Sequence, residues 1–131
     1  MVIKKPRVTH LRINQRRSKM NATEMIEKLN TAVVWCDANF NVIDANPRCK
    51  QLFKALLNME NFVGRNMAEC HKPATMVKLK NLFQQYKEKK IKLDYYTMDV
   101  PDGKLTIVNV PFYDGDTFAG VTEFIFEGSL G

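Results

Sequence analysis

Asp37-Ala38-Asn39-Phe40-Asn41-Val42-Ile43-Asp44-Ala45-Asn46-Pro47 is the stretch on which the fold turns. Asp37-Ala38-Asn39 is turn chemistry, because short polar side chains bond back to their own backbone. Before it, Ala32-Val33-Val34-Trp35-Cys36 is rich in β-formers; after it, Phe40-Asn41-Val42-Ile43-Asp44 alternates apolar and polar positions. The three pieces together read as a hairpin. Pro47 suits the first position of a helix, and Cys49, Leu52, Phe53, Leu56 and Leu57 recur behind it at helical spacing.

Outward from this core the pattern continues in both directions. Upstream, Asn21-Ala22-Thr23-Glu24 opens a short helix through Leu29, with Asn21 or Thr23 as its cap. Downstream, short helical pieces are expected from Met59 to Cys70. Pro73 then opens the longest helix, with Met76, Val77, Leu79, Leu82, Phe83 and Tyr86 on one apolar face. Lys78, Lys80, Gln84, Gln85 and Lys87 to Lys90 mark its solvated side and its end. Three β-rich segments follow, Ile91 to Val100, Lys104 to Phe112 and Phe118 to Phe126, separated by the turns Pro101-Asp102-Gly103 and Asp114-Gly115-Asp116. The order predicts an α+β domain: a five-stranded antiparallel sheet, helices packed on one face, the long helix before a three-strand meander, and a greasy cavity between sheet and helices.

Composition sets the limits of this reading. A chain of 131 residues with 45% hydrophobic and 26% charged residues fits one globular domain. The net charge of +6 resolves into residues 1–20, with seven Lys and Arg and no acid, and residues 21–131, with 13 Lys and Arg against 14 Asp and Glu. The excess therefore belongs to one arm, and a solvated arm is preferred over a nucleic-acid contact. The expected organisation is a basic arm at 1–20, a domain at 21–127 and a tail at 128–131. Cys36, Cys49 and Cys70 form neither a disulfide framework nor a CxxC pair, which suits a reducing compartment. No apolar run approaches the roughly 20 residues of a membrane span, and no signal peptide is legible, so a cytoplasmic location without membrane contact is expected. No Ser-His-Asp or Cys-His set, paired-carboxylate signature or Gly-rich phosphate loop points to an enzyme.

Asp37 to Pro47, followed by Phe62-Val63-Gly64-Arg65 before the connecting helices, resembles the opening of a PAS domain, and the resemblance covers residues 22–127. PAS domains are sensors with many ligands, so the resemblance implies a fold and leaves the signal to the residues. Gly64-Arg65-Asn66 resembles the flavin-binding members, but their reactive cysteine would fall at Met67, and Cys70 comes three residues too late. A citrate-type sensor would require cations in the cavity, and a covalent chromophore a cysteine context that is not apparent.

Haem remains, on His71 and Met98. Cys70-His71-Lys72-Pro73 and Met98-Asp99-Val100-Pro101-Asp102 resemble the haem-PAS sensors of carbon-monoxide-responsive transcription regulators, in which a histidine near the start of the long helix and a methionine on the next strand bind haem b. The resemblance implies metal ligation by His71 and Met98, with Met76, Leu79, Phe83 and Tyr96 lining the cofactor. Imidazole holds iron in both oxidation states, while a thioether is a weak ligand that favours ferrous iron and yields to carbon monoxide or another diatomic gas. Those regulators also present a cysteine just before the methionine strand, where this chain has Lys87 to Lys90. A homodimer is expected, with an effector domain or partner protein outside these 131 residues. The alternative is a cofactor-free PAS module for dimerisation or protein interaction. The ordinary readings of His71 as a cap or surface residue, and of Met98 as strand packing, stand beside the ligand readings.

Overall fold

The structure, a computed structural model, describes residues 19–128. The basic arm up to residue 18 and tail residues 129–131 lie outside the described residues. The elements run α1 (Ala22–Glu27), β1 (Ala32–Asp37), β2 (Val42–Ala45), α2 (Pro47–Leu57), a 3-10 turn (Met67–Glu69), α3 (Pro73–Lys87), β3 (Asp94–Val100), β4 (Gly103–Asp114) and β5 (Thr117–Glu127). All strand pairs are antiparallel and the sheet order is β2-β1-β5-β4-β3, so the opening hairpin and the meander meet along β1 and β5.

The Asp37 carboxylate builds the hairpin turn. Its Oδ1 accepts from Asn39 N at 2.9 Å and Asn41 N at 3.0 Å, and its Oδ2 from Asn41 Nδ2 at 3.2 Å. Phe40 consequently adopts φ 69°, and its ring stacks on Phe83 of α3 at 4.3 Å. That positive φ delays the second strand, which begins at Val42 rather than Phe40. Asn46 then caps α2, and Pro47 occupies its first turn as the sequence predicts.

Several expectations are corrected. Between Met59 and Cys70 only Met67–Glu69 is helical, because Asn61 and Gly64 take φ of 54° and 90° and the segment instead edges the hairpin. Gly64 N donates to Val42 O at 2.7 Å, and Val42 N to Arg65 O at 2.9 Å. The first meander strand starts at Asp94 rather than Ile91, since Lys89 is left-handed and Ile91 packs into the core. On α3, Met76, Phe83 and Tyr86 are buried and Leu79 is partly so, but Val77 is 59% exposed and leaves the apolar face.

Two apolar clusters fill the space between helices and sheet. Cys49, Leu52 and Phe62 close on Ala32, Val34, Leu105, Ile107 and Ile125 at one end. Phe83 and Tyr86 close on Cys36, Phe118 and Val121 at the other. At roughly 25 cal/mol per Å² of apolar surface removed from water, these clusters are what attach α2 and α3 to the sheet.

Candidate functional site

Register decides which side chains face the helices. Residues opposite one another in a sheet share a face, so side chains cross its inner side in rows, three of which hold the candidate residues. Tyr96, Ile107, Ile125 and Ala32 form one, and Met98, Leu105 and Glu127 a second nearer the open ends of β3 and β5. The third is Asp94, Asn109, Glu123 and Val34.

His71 lies at the end of the 3-10 turn, two residues before α3. Asn66 caps that turn, accepting from Ala68 N at 3.0 Å while its amide donates to Asn39 O and Asn41 Oδ1, both at 2.9 Å. The turn is therefore bolted to the β1–β2 hairpin. The His71 Nδ1 lies 2.8 Å from Met67 O. A carbonyl only accepts, so Nδ1 carries a proton, and in the neutral imidazole Nε2 keeps its lone pair. Fixing the proton on the far nitrogen in this way is how proteins orient imidazoles that bind metals. His71 is nevertheless exposed and does not point inward beside Met76 and Leu79 as expected.

Met98 is on the inner face of β3, an edge strand, and is 42% exposed. The structure does not join Met98 and His71 in one buried cluster, and two surface grooves of about 470 and 710 Å³ include neither. Tyr96 shares the Met98 face and is half-exposed. Burial, then the charges of Glu123 and Asp94, push its phenol up to about 12, so the hydroxyl stays protonated. Phe83 is buried, stacked on Phe40, and at this position is core. Tested as a haem site, the donor types present, an imidazole and a thioether, are ones that bind haem iron, but His71 faces solvent and neither residue lines either groove.

The third row corrects the expected greasy cavity. Asp94 accepts from the Tyr86 hydroxyl and from Asn109 Nδ2 at 3.4 Å. Glu123 sits in register beyond Asn109, and among the described residues no donor reaches its carboxylate. Glu123 is partly buried, on the side of the sheet that faces the helices. Burial, reinforced by Asp94, pushes it up to about 7. The thiols of Cys36 and Cys49 rise to about 12, first through burial and then, in part, through Glu123. Glu123 was missed as a candidate, yet Val121-x-Glu123-x-Ile125 places a charge in the middle of an inward apolar stripe.

No protein-family model matches the chain, and no curated protein matches its sequence. Solved structures do. The PAS domain of a Colwellia psychrerythraea protein is 15% identical, covering 88% of this chain and 96% of that one with TM-score 0.60. The PAS domain of BvgS from Bordetella pertussis is 10% identical over 95% of this chain and 88% of that one, TM-score 0.61. The Aer2 receptor from Vibrio cholerae, described as a dual PAS-heme oxygen sensor, is 14% identical over 73% and 92%, TM-score 0.56. The fold is that of PAS domains. Among the described residues, no helix is long and apolar enough to cross a membrane.

Proposed function

We propose that this PAS domain is a haem-based sensor of carbon monoxide, another diatomic gas or haem redox state, with His71 as the constant ligand and Met98 as the displaceable one. The observation that carries the reading is the Nδ1–Met67 O bond, which leaves Nε2 of His71 as a free lone pair in a fixed orientation. Haem b, when bound, would supply an iron able to exchange a weak protein donor for a gas. Met98 supplies a thioether weak enough to leave, and it stands on an edge strand paired only with β4, where its release is least resisted. Tyr96, Met76 and Leu79 would contribute the apolar walls. That Aer2 is described as a haem oxygen sensor supports the capacity of this fold for the cofactor.

Haemin titration followed by ferrous spectra before and after carbon monoxide tests the proposal. The expected result is a six-coordinate ferrous spectrum that shifts on carbon monoxide. His71→Ala should lose most haem with its circular dichroism unchanged. Met98→Leu, at a cost below about 1.5 kcal/mol, should become five-coordinate and bind gas faster. An unchanged Soret band in His71→Ala would overturn the assignment.

A second reading is favoured by the outer face of the sheet, where Val33, Phe124, Val108 and Tyr95 align across four strands and Tyr95 is 72% exposed. In that reading the domain is a cofactor-free module that pairs with a second copy through this face. A colourless protein that ignores haemin yet dimerises would favour it.

A further inference from the structure

We propose that Asp94, Asn109 and Glu123 form a proton-operated latch, in which ionisation of Glu123 loosens the tie that Tyr86 makes between α3 and β3. Two carboxylates flank one amide in register across three strands. At present Asn109 serves Asp94, and Asp94 in turn receives the Tyr86 hydroxyl from α3. Tyr86 also reaches Asn109 O at 3.3 Å, so both bonds of its hydroxyl end on the row.

Glu123 is the odd member, because among the described residues it has no partner to lose when it is neutral and no cation to meet when it is charged. The groups that face it are Asp94 and Tyr96 from β3, Tyr86 from α3 through Asp94, Cys36 from β1 and Cys49 from α2. None of these is a cationic side chain. A protonated Glu123 therefore sits quietly. An ionised one repels Asp94 and competes with it for the Asn109 amide, and either effect weakens the acceptor on which Tyr86 depends.

The direction of the response follows from linkage. The carboxyl ordinarily loses its proton near 4.5 and in the fold near 7. Between those values the folded chain holds a proton that the unfolded chain has released, so stability falls as pH rises through the window and levels off above it. Each pH unit inside the window corresponds to roughly a tenfold change in the unfolding constant. Ordinary salt-bridged carboxylates give the opposite slope.

The test compares the full chain with Glu123→Gln by urea unfolding from pH 5 to 8, with hydrogen exchange read on residues Leu82 to Lys87. The parent should destabilise several-fold per unit between pH 5 and 7 and lose protection in that end of α3. Glu123→Gln, which is isosteric and uncharged, should be flat across the range and more stable than the parent at pH 8. Direct titration of the Glu123 carboxyl carbon by NMR keeps the test independent of the variant's packing. A midpoint near 4.5, a variant that retains the parent's slope, or a slope without any change in α3 protection each overturns the latch. None of these measurements requires haem, so the outcome is separate from that of the sensor reading.

Discussion

Asn46 spends every hydrogen-bonding group it has. Its Oδ1 accepts from Val33 N at 2.9 Å and Cys49 N at 3.0 Å, and its amide donates to Thr31 O at 2.8 Å and Ile26 O at 3.2 Å. One buried side chain thus caps α2, pairs the start of β1 and fastens the end of α1, a six-residue helix with no buried residue of its own. Asn46→Ala leaves the N–H groups of Val33 and Cys49 without their acceptor and takes one donor each from Thr31 O and Ile26 O, and should cost about 3 kcal/mol in urea unfolding. Asn46→Asp separates the roles: it keeps the cap but sets a carboxylate against the carbonyls of Thr31 and Ile26. It should therefore recover only part of the loss. Equal stability of Asp and Asn variants would show that the amide bonds to α1 contribute nothing.

At the scale of elements, α3 is held at its C-terminal half by Phe83 and Tyr86, while its N-terminal half presents Val77 to water. Tyr86→Phe keeps the ring and removes the hydroxyl, stranding Asp94 on the long Asn109 bond. The expected cost is about 1–3 kcal/mol, and the added opening in hydrogen exchange should concentrate in the last turns of the helix. Uniform loss of protection along α3 would mean that the hydroxyl does not act locally. Much of this architecture was legible, because turn residues at Asp37-Ala38-Asn39 and Asp114-Gly115-Asp116, Pro at both helix starts and period-two runs all act within a few residues. What was not legible depends on register. Glu123 becomes conspicuous only when it is aligned with Asn109 and Asp94, and two irregularities in the pairing, at Trp35/Cys36 and Phe112/Tyr113, shift any count made from sequence alone. For His71 the residue type and its place before α3 could be read, but its bond to a carbonyl four residues back required the 3-10 turn to be seen.

Taken whole, the molecule has one sheet with two unlike faces. The inner face is roofed by α2 and α3; the outer face carries Phe124 and Phe126 stacked at 6.3 Å beside Val108 and Tyr95. If a second copy covers that outer face, Val108→Glu should shift sedimentation from dimer to monomer without changing circular dichroism, since a charge there is tolerated only in water. A dimer that survives the change would place the contact elsewhere. The central pair of strands also fixes where the chain enters and leaves. β1 begins at Ala32 opposite Ile125, two residues before β5 ends, so the incoming and outgoing segments stand side by side at one rim of the sheet. Tension drawn through those two segments would part the β1–β5 ladder as a zipper parts, one pair after another from Ala32 and Ile125, instead of shearing all six pairs at once. β5 stays paired with β4 from Thr117 to Glu127 meanwhile, so the domain would open first along its β1–β5 seam and reclose from the still-paired Asp37 and Gly120 end.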